Sequence, residues 1–213
     1  MSAIAKITNI ITDDPREQYN LCCYGGSAII RTAYTRLGSL ANPFYFALGL
    51  TTSQIGLLGT PGLAIGIATM ILSTAFLDRI RNRARCCALM QLCGASLSPL
   101  LILLLSLIPP LRDNQTAFYL IFATALVSVP ITANFGAVDA MLFSRSIKPD
   151  HRGKFFGLIG IVGGLVGVGC SLFATWEFKT VGFPFAFSII YSLMLLLIVI
   201  SGTLKWQIGR AHV

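Results

Sequence analysis

Hydrophobic residues in this chain come in long unbroken runs, not in alternation with polar ones. Five stretches, 55–77, 86–108, 117–138, 155–176 and 180–204, hold no Asp, Glu, Lys or Arg. Each reaches the length, about 20 apolar residues, at which a helix crosses the hydrocarbon of a bilayer. A sixth stretch, 24–48, is apolar enough but carries Arg31 and Arg36. Outer-membrane barrel strands would read as segments of about 10 residues of alternating polarity, and no such alternation occurs. The pattern predicts an all-α membrane protein with six transmembrane helices, preceded by a polar segment over 1–23 and followed by a short end over 205–213.

Lys and Arg between the spans predict the orientation. Lys6 and Arg16 precede the first span, and Arg79, Arg81, Arg83 and Arg85 stand between the second and third. Arg145, Lys148, Arg152 and Lys154 stand between the fourth and fifth, and Lys205 follows the sixth. The alternate connections hold only Arg112 and Lys179. Eleven against two predicts a cytoplasmic N-terminus and cytoplasmic basic loops, in a multi-pass protein of the cell (plasma or inner) membrane.

Composition narrows the class. Hydrophobic residues make up 55% of the chain and charged ones 11%, against roughly a quarter charged in soluble domains. With a mean hydropathy of +0.77, too few charges exist to cover a water-soluble globule, and disorder is excluded because disordered chains are polar. The net charge of +8 reflects the loop bias and attraction to anionic lipid headgroups. It does not imply a nucleic-acid partner. Residues 1–20 have no apolar core and contain Asp13, Asp14 and Glu17, so they do not read as a cleavable signal peptide.

Chemistry-bearing motifs are scarce. HExxH, GxSxG and GxxxxGK[ST] do not occur, so the reading is of a non-enzyme without cofactor. Asn42-Pro43 lacks the following Ala of a water channel. Cys22-Cys23 and Cys86-Cys87 lie at predicted cytoplasmic span ends, where thiols stay reduced. Lacking CxxC or His spacing, they predict no metal site.

Three loop segments carry a family resemblance. Leu48-Gly-Leu-Thr-Thr-Ser-Gln-Ile-Gly-Leu-Leu58 looks like the first extracellular turn and second-helix start of the major facilitator superfamily. Thr74-Ala-Phe-Leu-Asp78-Arg79-Ile-Arg81-Asn82-Arg83 resembles that family's G-x-L-a-D-R-x-G-R-R signature. Asp78, Arg79 and Arg83 match, while Thr74 and Arg81 replace the glycines, Phe76 the leucine and Asn82 the first of the paired basic residues. Pro149-Asp-His-Arg152-Gly153-Lys-Phe-Phe-Gly157 is similar to the family's loop into the fifth helix.

The resemblance implies the N-terminal six-helix half of a secondary transporter. Such a protein moves a small solute by alternating access, driven by a solute gradient or by a coupling ion, proton or sodium. It also implies a conformational clamp built on Asp78, Arg79, Arg83, Arg152 and Gly153. Positive-inside anchoring explains the arginines equally well, but not the single Asp. The fifth helix has Gly167-Val-Gly169 where proton-coupled antiporters of that family carry Gly-Pro. From a different class, the alternative is a complete six-helix scaffold or dimerising protein that transports nothing.

Ionisable groups within spans mark a site by default. On a helical wheel Arg31, Tyr34, Thr35, Gly38, Asn42 and Tyr45 share a face. Arg36 lies about 140° from Arg31 at 3.6 residues per turn. Asn134 in the fourth span and Asp139 just past its limit approach the cytoplasmic end, where Asp139 is an exposed helix-end carboxylate or a proton site, and a pairing partner for Arg31. Arg31, Tyr34, Arg36, Asn42, Asn134 and Asp139 are therefore the candidate cavity residues. A cationic first helix favours an anionic or carboxylated solute. Gly157, Gly160, Gly164 and Gly167 recur along one face of the fifth span, where a neighbouring helix can approach closely.

The last residues read differently. Ile208-Gly-Arg-Ala-His-Val213 is what ATC-GGA-AGA-GCA-CAC-GTC, one frame of a common sequencing-library adapter, encodes. The expectation is that residues 208–213 are adapter-derived and that a further six-helix half follows in the natural chain.

Overall fold

The computed structural model describes residues 12, 14–77, 79–80 and 82–208, apart from the side chains of 74–77. Helix makes up 89% of it, with no strand among the described residues, so the protein is all-α. The helices are α1 (Pro15–Gly38), α2 (Ala41–Ala47), α3 (Thr52–Leu77), α4 (Arg83–Leu107), α5 (Asn114–Ser146), α6 (Pro149–Thr180) and α7 (Phe185–Gln207), with a 3-10 turn at Pro109–Arg112. Five of them, α3 to α7, are long and apolar enough to cross a membrane. Leu57, Leu63, Leu72, Ile161, Leu165 and Leu172 lie exposed along α3 and α6, as lipid-facing side chains do. The chain is an integral membrane protein.

The predicted first span, 24–48, differs most. Helix α1 begins at Pro15, where proline suits the first position and Asp14 Oδ1 accepts the Arg16 N–H at 3.0 Å. It ends at Gly38, and α2 resumes at Ala41. Pro43 explains the interruption. In a continuous helix it could not donate to the Ser39 carbonyl, and its ring would strike that group. After the break Pro43 falls in the first turn of α2, where a missing N–H leaves nothing unpaired. Ser39 Oγ donates to the Arg36 carbonyl at 2.6 Å and closes the end of α1.

Charges do not end the other helices where hydropathy does. Helix α5 runs past the predicted limit at 138 to Ser146, and α6 already starts at Pro149. The proline two residues beyond Ile147 sets that boundary. Asn82, standing where the family motif has a basic residue, is the N-cap of α4 and accepts the Arg85 N–H at 3.2 Å.

Packing pairs α4 with α7 and α5, α3 with α5, and α1 with α7 and α6. The helices thus follow one another in space as α3, α5, α4, α7, α1, α6. Exchanging α1 with α5, α3 with α6 and α4 with α7 returns the same set of principal contacts. The closest approaches use glycine. A Cβ on Gly94 of α4 would lie 2.7 Å from Ile131 of α5, and one on Gly202 of α7 would lie 2.8 Å from Leu92 of α4.

The glycine face predicted on α6 needs correction. A Cβ at Gly157, Gly160 or Gly164 would meet nothing within 4 Å, whereas at Gly167 it would lie 3.4 Å from Arg36 Nε. The side of α6 turned to α1 is instead Gly163 and Gly167, one turn apart, with Thr32 Oγ1 3.3 Å from a Cβ at Gly163.

The core divides into two clusters. One surrounds Leu37, Phe44, Ile102, Leu105, Ile190 and Tyr191. The other surrounds Leu21, Tyr24, Cys87, Val138, Phe143 and Phe155, toward the start of α1.

Candidate functional site

Four helices bring polar groups together in the second cluster. Asp139 comes from α5, on the buried face Phe135, Val138, Asp139 and Leu142. Lys205 comes from α7, on the buried face Ile198, Ser201, Gly202 and Lys205. Both faces have the i, i+3, i+4, i+7 spacing of a core stripe. Lys205 Nζ donates to Asp139 Oδ1, and Arg31 Nη1 of α1 donates to Asp139 Oδ2 at 2.8 Å. Cys87 of α4 presents its thiol to Oδ1 at 3.6 Å. The ammonium also sits 4.2 Å from the centre of the Phe135 ring, a favourable cation–π distance.

Two sequence readings are overturned here. Asp139 is 5% exposed and Lys205 1%, so neither is a helix-end group in contact with water. Membrane loops make Lys a mark of the interface, but the helical stripe of α7 carries this one inward. The Arg31 side chain stays 37% exposed. One carboxylate therefore faces two cations.

A neutral layer lies next to this cluster. Gln91 Nε2 donates to Ser201 Oγ at 2.6 Å, and Ser201 Oγ donates to the Ser27 carbonyl at 3.0 Å. This joins α4, α7 and α1 without charge.

Beyond it, near the break between α1 and α2, is a cavity of about 490 Å³ bounded by α1, α2, α3, α4, α5 and α7. Its polar lining includes Tyr34, Asn42, Tyr45, Thr124, Ser128 and Tyr191. None of the described residues lining it carries a formal charge. Of the six predicted cavity residues, Tyr34 and Asn42 line it. Arg31 is engaged with Asp139. Arg36 is exposed and borders a separate groove with Gly164, Gly167 and Ser171. Asn134 is buried between helices: its Oδ1 accepts the Ser73 hydroxyl of α3, and its Nδ2 donates to the Pro130 carbonyl at 2.8 Å. The anionic-solute expectation rested on Arg31 and Arg36, and neither reaches the cavity. Thr124, Ser128 and Tyr191 come from helices that no periodicity within the first span could associate with it.

The clamp residues are distributed as follows. Asp78 lies outside the described residues. Arg79 is exposed in the turn between α3 and α4, and Arg83 opens α4. Arg152 donates through Nε to the Ile147 carbonyl at 3.1 Å and through Nη2 to the Ser144 carbonyl at 2.7 Å. It thereby satisfies the carbonyl end of α5, where a cation is favoured. A Cβ at Gly153 would meet nothing within 4 Å.

Glu17 is a site residue that the sequence reading missed. It is 5% exposed and accepts the Lys148 N–H at 3.1 Å, the Thr12 hydroxyl at 2.9 Å and a contact from His151 Nδ1 at 3.0 Å. Burial pushes its carboxyl up, but the hydrogen bonds from His151, Lys148 and Thr12 outweigh that and hold it below the ordinary carboxylate range. Glu17 thus ties the start of α1 to the α5–α6 connection. Its signal was legible: Glu17, Asn20, Leu21, Tyr24 and Ala28 form one buried helical stripe.

No family model, no curated protein and no solved structure matches the chain. The major facilitator resemblance accordingly rests on its three loop motifs.

Proposed function

We propose that the chain forms a six-helix bundle of a secondary transporter of the major facilitator type, moving a small solute by alternating access across the cell membrane. The observation that carries this reading is the exchange symmetry of packing, in which α1, α3 and α4 correspond to α5, α6 and α7. In this reading each set supplies three crossings, an odd number, so the second set would enter from the opposite face and the two would be inverted repeats. Inverted three-helix repeats nested in a six-helix half are a construction of such transporters. The interrupted helix beside the polar cavity adds support, because broken helices recur at transporter binding sites.

In this reading the lipid bilayer surrounds α3 and α6, and Asp78, Arg79, Arg83, Arg152 and Gly153 belong to the cytoplasmic clamp. A proton or sodium ion, or the solute's own gradient, drives the cycle. Alternating access needs a second bundle, supplied by the same polypeptide or by another copy.

The test is uptake by the purified protein in proteoliposomes. A panel of isotopically labelled small solutes is offered with and without an imposed proton or sodium gradient. Saturable, gradient-dependent accumulation supports the transporter. A stably folded protein that accumulates nothing from the panel favours a non-transporting scaffold.

A further inference from the structure

The geometry points to an uncharged solute, with an apolar or aromatic body and a few hydrogen-bonding groups, as the occupant of the cavity beside α1 and α2. This rests on the transporter reading and names its solute class. None of the described residues around the cavity is Asp, Glu, Lys, Arg or His. An ion entering it would shed water without meeting a counter-charge, which a low-dielectric site penalises heavily. The cations of the bundle are placed elsewhere. Arg31, one turn from Tyr34 on α1, is paired with Asp139, and Lys205 is sealed against the same carboxylate. Arg36 lies in the separate groove on α6.

What the lining offers instead is neutral. Tyr34, Tyr45 and Tyr191 supply aromatic surface and phenol groups, Asn42 an amide, and Thr124 and Ser128 hydroxyls. Tyr191 is 1% exposed, yet its hydroxyl has no hydrogen-bond partner among the described residues. Buried hydroxyls without partners are exceptions in folded proteins, and an acceptor on a bound solute would complete this one. The volume, about 490 Å³, falls within the roughly 300–1,000 Å³ of small-molecule pockets.

Benzamide, benzoate and benzamidinium share one planar body and differ in charge, so they isolate the question. Binding of each to the purified protein in lipid nanodiscs is read by saturation-transfer NMR titration. Benzamide is expected to bind at least about tenfold more tightly than either ion, a difference of about 1.4 kcal/mol. Thr124→Trp, which fills the cavity, removes that binding, and Tyr34→Phe, a milder change, weakens it. The inference is overturned if an ion binds as tightly as benzamide and is expelled by Thr124→Trp. It is also overturned if benzamide binding is absent or ignores both substitutions. Benzamide binding in a protein that accumulates no solute would retain the site and retire the transporter. Gradient-driven accumulation of an anion, with no benzamide bound, would do the reverse.

Discussion

Lys205 of α7 and Asp139 of α5 meet where neither reaches solvent, and Arg31 of α1 takes the other oxygen of the same carboxylate. Three helices are thus tied at one side chain. The two cations differ in one respect: Lys205 is enclosed, while the Arg31 side chain is 37% exposed.

That difference orders the effects of substitution. Asp139→Asn leaves a buried ammonium without its counter-ion, a change that destabilises by about 3–5 kcal/mol. Arg31→Met breaks a half-exposed pair and costs less, about 1 kcal/mol. Replacing Lys205 and Asp139 together by Met and Leu recovers most of the loss, because the enclosed ammonium goes with its counter-ion and only the part-exposed Arg31 is left unpaired. Thermal unfolding of the three variants in one detergent checks the ranking, and equal losses for Asp139→Asn and Arg31→Met would contradict it.

Glycine positions separate packed from open helix faces. Gly94→Ala places a Cβ 2.7 Å from Ile131, and overpacking of this kind costs about 1–3 kcal/mol. Gly160→Ala meets nothing within 4 Å, so helix propensity alone acts and stability rises by about 0.5–1 kcal/mol. Opposite shifts in melting temperature are the expected result.

The Glu17 tie sets an acid limit. Its carboxyl is held below the ordinary range in the fold, so its contribution is complete above the unfolded-state value and is lost as pH falls through the folded-state one. Exchange of the Lys148 amide, which donates to Glu17, stays slow across mildly acidic pH and accelerates only below the usual carboxylate range. In Glu17→Gln that pH step disappears.

Removing the N-cap of α4 by Asn82→Ala should cost about 1 kcal/mol. Hydrogen exchange at Arg85, whose N–H Asn82 accepts, reports it locally.

Much of the helical framework was legible because charge-free runs of membrane length leave few alternatives. The ends were not: hydropathy marks where lipid stops, whereas Asn82, Pro149 and the caps mark where helices stop. Charge misled twice. Lys205 and Asp139 read as surface groups from their charge, although each sits on a buried i, i+3, i+4 stripe. The face from Tyr34 to Tyr45 could be found on a helical wheel, and it lines the cavity. Its partners Ser128 and Tyr191 could not, since only the packing of α5 and α7 brings them there.

The most direct measurement is the sidedness of the loops, because inverted three-helix sets require alternate connections on opposite faces. Single cysteines at Thr51, Asn82, Pro110, Lys148 and Val181 are labelled in sealed vesicles with a membrane-impermeant maleimide. The background has Cys22, Cys86, Cys93 and Cys170, the cysteines that reach the surface, replaced by serine. The account predicts that Thr51, Pro110 and Val181 react from outside, and that Asn82 and Lys148 react only after permeabilisation. Thr51 and Asn82 reacting from the same side would contradict it, and with it the six-crossing bundle on which the transporter rests.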